Sequence, residues 1–331
     1  MSKNDMKNSG ISLYVDVEKD LTPIKGALID SWYVKSDFEC DGKIFGFTWH
    51  QGVLNTPLKK LFSSECVFMN VSDDQWVNKD FSASVSKLNG MEADKLNIYS
   101  QWGYLRGDVN HMELRVDTGK YCIDVQLTRK KNVLYNGATG LIDFGSVLSY
   151  EYAFPDMKME GTFTFDGKKY LIKNATAWFD RQWGKMTLKG DKSDTFMPGK
   201  STWLWLGLFM KDDDNTVLSL WDLYTNKTRR SFVTATGESE YQLNTNADIK
   251  YHDIWISSKT GFHYPGIVEI KAQGIELDVT LTCCTSSKEI EFQREQKGLS
   301  GCQCLFKAVG TYKGNRIDCY ANLEMIGDLC G

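Results

Sequence analysis

Apolar and polar residues alternate with a period of two through most of this chain. His111 to Val116 sets His, Glu and Arg against Met, Leu and Val. After the turn Asp117-Thr118-Gly119-Lys120, the run Tyr121, Ile123, Val125, Leu127 carries the apolar face back. Such a stretch is a hairpin with one buried and one wet face. Met159 to Lys173 repeats the plan, with Asp166-Gly167 between EGTFTF and KKYLIK supplying the positive φ of a tight turn. Gly266 to Leu281 alternates Val268 and Ile270, then Ile275, Leu277, Val279 and Leu281. Helix is scarce, and its best candidate is the short Pro57 to Phe62. The pattern predicts an all-β protein of antiparallel barrels, since closure removes exposed strand edges.

Two segments read as copies of one another. SWYVKSDFECDGKIFGFTWH (Ser31 to His50) and TWLWLGLFMKDDDNTVLSLWD (Thr202 to Asp222) each run from a Trp-led strand through an acidic turn to a returning strand. Each closes on another tryptophan, Trp49 or Trp221. A repeat at this long period predicts two β-domains in tandem. The polar, Gly-containing stretch from Gly184 to Ser201 marks the division, giving domains 1–190 and 191–331. The first ~20 residues read as an arm, poorly ordered or crossing to the other domain.

At 331 residues, with 42% hydrophobic and 25% charged side chains, the chain suits two soluble domains. A net charge of −4 without a Lys/Arg cluster argues against nucleic acid and anionic membranes as partners. No apolar run reaches the roughly 20 residues of a membrane span. The opening MSKNDMKNSG has no apolar signal region, so a cytoplasmic location is expected. Oligomeric state is not indicated. Nine cysteines, an odd number, favour reduced thiols. Cys302 and Cys304 share a strand face, which fits half a metal site or small buried residues; without a C-x-x-C partner the second is preferred and no metal is expected. The turn Asp212 to Asn215 lacks the spacing of a calcium loop and reads as solvated. Neither a dinucleotide or phosphate-binding glycine loop nor a G-x-S-x-G elbow occurs, so no cofactor and no serine-hydrolase chemistry are expected.

Asn174 to Gly184, NATAWFDRQWG, concentrates the candidate chemistry. On a strand, Trp178, Asp180 and Gln182 share one face, and Phe179, Arg181 and Trp183 take the other. A carboxyl desolvated beside an indole favours its neutral form, and such an acid can protonate a C=C bond. Neighbouring aromatic faces then stabilise the cation. The competing reading makes Asp180 half of a structural ion pair with an arginine other than its strand neighbour. Glu324, on a closing strand, is a second acid if inward and a solvated residue if outward. His50, His252 and His263 read as structural. Trp32, Tyr33, Trp49, Tyr150, Tyr152, Trp203, Trp205 and Trp221 are pocket walls or barrel core.

The order of these motifs resembles the lipocalin-like family of carotenoid 1,2-hydratase, kievitone hydratase and AttH-type proteins, and the related lipocalin-like pericyclases. The resemblance rests on SWYVKSDFECDGKIFGFTWH, GTFTFDGKKYLIKNATAWFDRQWG, TWLWLGLFMKDDDNTVLSLWDLY, IWISSKTGFHYPGIVEIKAQGIELDVTL and CYANLEMIGD, from about Trp32 to Gly327. It implies two tandem lipocalin-like antiparallel β-barrels with a ligand site at or between them. It also implies chemistry on a largely apolar small molecule: hydration, isomerisation or cyclisation. Asp180 then occupies the family's motif Asp and Trp178 and Trp183 its flanking aromatics, while Glu324 matches a Glu the family commonly shows. Arg181 stands where many members carry His, and an arginine is no proton shuttle near neutral pH.

The sequence therefore predicts a cofactor-independent hydratase, isomerase or cyclase for a hydrophobic polyene, terpenoid or polyketide. Its catalytic candidates are Asp180, Arg181, Gln182 and Glu324. Its substrate-binding candidates are Trp178, Trp183, Trp32, Trp49, Tyr150, Tyr152, Trp205 and Trp221. The alternative is a non-catalytic carrier of an apolar metabolite.

Overall fold

The computed structural model describes residues 13–55, 59–130, 132–144, 147–186, 201–210, 212, 214–225, 228–239, 241–284, 291–292 and 300–331. Among these the chain is strand almost throughout, with three single-turn 3-10 segments and no α-helix. The Gly184–Ser201 division falls largely outside the described residues.

Two compact units result. The first takes the chain to Val133, plus Thr139–Leu141 and Ser149–Met186; the second takes Leu134–Ala138, Ile142–Leu148 and Thr187–Gly331. Strands β1 (Ile29–Cys40), β2 (Lys43–Asn55), β3 (Lys60–Asn70) and β4 (Gln75–Ser84) open the first sheet. They are followed by β5 (Gly90–Met91), β6 (Leu96–Ser100), β7 (Gly103–Gly107), β8 (His111–Asp117) and β9 (Cys122–Arg129). Short β10 (Leu134–Tyr135) and β11 (Leu141–Asp143) precede the long pair β12 (Val147–Phe165) and β13 (Lys168–Met186). The order β4-β3-β2-β1-β13-β12-β9-β8-β7-β6-β5 puts β13 beside β1, so the Asp180 strand lies centrally between distant parts of the chain. Asp166 and Gly167 make the β12–β13 turn with φ of 47° and 81°, as an Asp-Gly hairpin requires. Gly161 on β12, at φ 148°, lies where a Cβ would stand 2.2 Å from the Asp124 carbonyl, so only glycine fits.

The second sheet contains β14 (Thr202–Phe209), β15 (Val217–Tyr224), β16 (Arg229–Thr236), β17 (Leu243–Asn246), β18 (Asp248–Ile256), β19 (His263–Ala272) and β20 (Leu277–Cys283). It ends with β21 (Glu291–Phe292), β22 (Gly301–Tyr312) and β23 (Asn315–Ile326). Its order is β17-β16-β15-β14-β23-β22-β20-β19-β18, with β21 on β22. Thus β14-β15 beside β23 repeats β1-β2 beside β13. The fold is the two-sheet, lipocalin-like antiparallel architecture expected from the sequence.

One element differs. Pro57 and Leu58 lie outside the described residues, but Lys60–Phe62 open β3 instead of ending a helix. Phe62, Cys66 and Phe68 are all fully buried on one face of β3, and that burial outweighs local helix tendency. In the acidic turn, Asp212 accepts hydrogen bonds from Thr216 N (2.6 Å) and Oγ1 (2.7 Å). Asp214 accepts one from Ser239 N at 2.9 Å, so these carboxylates brace the turn.

Candidate functional site

Asp180 sits on β13, and the register carries its face across the sheet. It lies opposite Tyr33 of β1, Tyr33 lies opposite His50 of β2, and His50 opposite Glu65 of β3. Directly paired residues share a face, so the four form one row. A parallel row holds Trp178, Lys35 and Thr48, and another Gln182, Ser31 and Gly52. Asp180 is 6% exposed, and Tyr33, Lys35, Glu65 and Trp178 are also buried.

The contacts order this face. Trp178 Nε1 donates to Asp180 Oδ1 at 2.6 Å, fixing the carboxyl beside an indole edge. The Lys35 ammonium lies 5.5 Å from the Trp178 ring centroid. Gln182 Nε2 donates to Glu151 Oε2 at 3.0 Å, bringing a second buried carboxyl alongside. The His50 ring stands edge-on to Tyr33, with centroids 5.7 Å apart. Three carboxyls, a lysine, an imidazole and a phenol are thus gathered on one largely buried face. Burying charged groups costs free energy, and such concentrations cluster at functional sites.

Arg181 is turned the other way, as alternation requires, and is 0% exposed. Its Nε donates to Asp20 O (2.7 Å), its Nη1 to Ser31 O (3.1 Å) and Gln182 O (2.8 Å), and its Nη2 to Thr22 O (2.8 Å). Nη2 also meets Asp30 Oδ1 at 2.6 Å. Four backbone carbonyls thus accept from the guanidinium, and Asp30 supplies its counter-charge. The group lies 4.2 Å from the Trp32 ring centroid and 5.1 Å from that of Trp183. Trp32 Nε1 donates to Leu21 O at 3.0 Å. The Arg–Asp ion pair is therefore with Asp30, and together with Trp32 it ties residues 20–24 to the first sheet. Burial raises the Asp30 carboxyl above its ordinary pKa, against the opposing pull of Arg181.

The remaining aromatic candidates separate by face. Tyr150 stacks on Trp183 at 5.6 Å, and Tyr152 meets Trp183 edge-on at 6.3 Å. The Tyr152 hydroxyl donates to Val17 O at 3.1 Å. Trp49, opposite Val34, shares the inner face with Phe47 and Phe45. Trp32, Trp49, Tyr150, Tyr152 and Trp183 thus sit on the opposite side of the sheet from Asp180.

In the second unit Leu204, Leu206 and Leu208 belong to the aliphatic core. Trp203, Trp205 and, by register, Trp221 take the other face. Trp205 Nε1 donates to Ser219 Oγ (3.1 Å), which donates to Asn136 Oδ1 (2.7 Å). Phe144 stands edge-on to Trp221 at 5.9 Å. Half-buried Glu324 accepts from Trp203 Nε1 at 2.9 Å and Gln303 Nε2 at 3.1 Å. It is a held carboxylate on the tryptophan face. His263 pairs with Asp328 at 3.0 Å and His252 with Glu269 at 3.4 Å, carboxylate partners that local sequence did not reveal.

Sequence reasoning missed Lys35, Glu65 and Glu151, whose signal was charge within otherwise apolar strands. It also missed Asp222, fully buried on the leucine face. Asp222 accepts from Arg229 Nε (3.0 Å) and Nη2 (2.9 Å), from Ser231 Oγ (2.6 Å) and from the Tyr251 hydroxyl. Burial, then the Asp222 charge, pushes the Tyr251 hydroxyl well above its ordinary range.

The AttH-like family model matches residues 15–296. The chain belongs to the AttH-like family. Among its relatives, kievitone hydratase of Fusarium solani subsp. phaseoli is 24% identical over 42% of this chain and 42% of its own length. Dehydratase asqC of Emericella nidulans is 26% identical over 55% of this chain and 49% of its own length. The chain thus aligns with less than half the length of either. The crystal structure of kievitone hydratase from Nectria haematococca superposes with a TM-score of 0.77 at 18% identity. That match covers 97% of this chain and 96% of the other, and establishes the shared fold. No helix among the described residues is long and apolar enough to cross a membrane.

Proposed function

We propose that this AttH-like protein is a cofactor-independent lyase that adds water to, or removes it from, a hydrophobic small molecule. The observation that carries the reading is the Trp178–Asp180 hydrogen bond of 2.6 Å, set in the largely buried row with Tyr33, half-buried His50 and Glu65. A hydratase must place one proton on carbon and accept another from water, and the reverse reaction uses the same groups. Asp180 protonates the alkene carbon. The Trp178 indole orients the carboxyl and, with the Tyr33 ring, shields the cationic centre from bulk solvent. The names of the two curated relatives, a hydratase and a dehydratase, support this class of reaction. The same acid without water capture isomerises or cyclises a polyene, so terpenoid and polyketide polyenes belong in the substrate panel.

The test is incubation with kievitone, other prenylated phenols and linear polyenes, followed by liquid chromatography and mass spectrometry. Gain or loss of one water, abolished in Asp180→Asn, supports the lyase. A rearranged product of unchanged mass, also lost in Asp180→Asn, assigns isomerisation or cyclisation. Stoichiometric retention of an unaltered ligand makes the protein a carrier.

A further inference from the structure

Three thiols meet in the second unit, outside the chemistry proposed above. Cys302 and Cys304 of β22 are 0% and 1% exposed, and their Sγ atoms lie 3.2 Å apart. Cys283, at the end of β20, pairs with Phe306 and therefore shares the face of Cys304. It is half-buried and hydrogen-bonds Cys304. That bond pulls the Cys304 pKa down, while its bond to Cys302 and burial outweigh it and push the thiol well above its ordinary range. Among the described residues, no three His, Cys, Asp or Glu side chains are arranged to hold a metal ion. Gln303, between the two buried cysteines, points to the other face and donates to Glu324 Oε2 at 3.1 Å.

We propose that Cys302 and Cys304 are an oxidative modification site, closed to an intrastrand disulfide by a hydroperoxide, with Cys283 as the entry thiol. Cys283 attacks the peroxide, whose O–O bond breaks; the sulfur becomes a sulfenic acid and the oxidant leaves as an alcohol or water. Cys304 attacks that sulfur, forming the Cys283–Cys304 bond and releasing water. Cys302 then attacks Cys304, and the Cys283 thiol is restored with the proton Cys302 gives up. The sum is two thiols and one peroxide giving one disulfide, one alcohol and one water.

The closure has a structural consequence. Residues two apart on a strand are roughly 6.6 Å apart, near the upper end of the ~4.4–6.8 Å a disulfide spans between Cα atoms. Closing the bond draws β22 together at Gln303 and moves its amide away from Glu324. Glu324 is also the acceptor for Trp203, so the oxidation state is transmitted to the tryptophan face.

The test treats the full chain with graded hydrogen peroxide, blocks free thiols with iodoacetamide and digests with trypsin. Peptide 298–307 contains both Cys302 and Cys304, and peptide 272–288 contains Cys283. The expected product is peptide 298–307 unalkylated and two hydrogens lighter, restored by dithiothreitol, and formed at least ten times more slowly in Cys283→Ser. Tryptophan emission should change with it in the native sequence and not in Trp203→Phe. Peptide 298–307 alkylated at both cysteines after peroxide, or joined to peptide 272–288 as the final product, overturns the proposal. An unchanged rate in Cys283→Ser overturns the entry role, and unchanged emission overturns the coupling to Glu324.

Discussion

Trp178 and Asp180, two residues apart on one strand, are joined by a hydrogen bond of 2.6 Å from the indole N–H to the carboxyl group. Because strand side chains alternate, this is the shortest sequence spacing that lets an indole and a carboxyl face the same way. The bond fixes which way the carboxyl points before any substrate arrives, which is the form of preorganisation an acid catalyst gains from.

Replacing Asp180 with Asn keeps the shape and the hydrogen-bond acceptor but removes the transferable proton. On a substrate the protein turns over, kcat should fall by about 10²–10⁴-fold, the usual contribution of general acid catalysis. Trp178→Phe should cost less, about 3- to 10-fold, because it removes one hydrogen bond that orients the neutral acid, roughly 0.5–1.5 kcal/mol. Steady-state kinetics on both variants checks this. Equal losses in the two would mean that the indole does more than orient the acid.

Arg181 should matter for stability first. Arg181→Met leaves the buried Asp30 carboxyl without its cation and removes the clamp on residues 20–24. The expected loss is roughly 3–5 kcal/mol near neutral pH. The pH dependence follows from the direction of the Asp30 shift. Burial raises its folded pKa and Arg181 opposes that rise, so removing Arg181 raises it further. A carboxyl with a raised folded pKa favours the folded state below its unfolded pKa of 3.8 and loses that contribution as pH rises through the folded value. The variant's deficit should therefore be largest at pH 7 and shrink toward pH 4, as urea denaturation at several pH values would measure. A deficit that grows on acidification would contradict the assignment.

Alternation alone put Asp180 with Trp178 and Gln182, and Arg181 away from them, and the structure agrees. What alternation could not supply is which strands become neighbours. Glu65 and His50 reach the Asp180 row only because β13 pairs with β1, about 150 residues earlier, β1 with β2, and β2 with β3. The repeated hairpins were equally legible as a repeat and silent on orientation. Trp49 lies inside its sheet with Phe45 and Phe47, whereas Trp205 and Trp221 lie opposite their leucine core. That choice is set by which segment covers the outer face. Phe144, packed on Trp203 and Trp221, comes from a piece of chain far from either strand.

The polar chain behind Trp205 gives a test of the second unit. Trp205 Nε1 depends on Ser219 Oγ, and Ser219 in turn donates to the fully buried Asn136. Ser219→Ala removes the central group and with it two hydrogen bonds, Trp205 to Ser219 and Ser219 to Asn136. Each is worth about 0.5–1.5 kcal/mol net, so a loss of roughly 1–3 kcal/mol in thermal or urea unfolding is expected. A neutral substitution would mean that the Trp205 indole is hydrated and not sealed.

Cys330 offers a chemical probe of the same unit. Burial, then the charges of Asp328 and Asp222, pushes its thiol up to about 12. The thiolate is the nucleophile, and a free cysteine ionises near 8.5. At pH 8 a pKa of about 12 leaves only about one thiol in ten thousand ionised, against roughly a quarter in the unfolded chain. Alkylation of Cys330 by iodoacetamide at pH 8 should therefore run about a thousandfold slower in the native protein than in urea, read peptide by peptide. Asp222→Asn should speed the native reaction, because one of the two opposing charges is gone. If native Cys330 instead reacts at the denatured rate, the last residues of the chain do not stay docked beside Asp222 in solution.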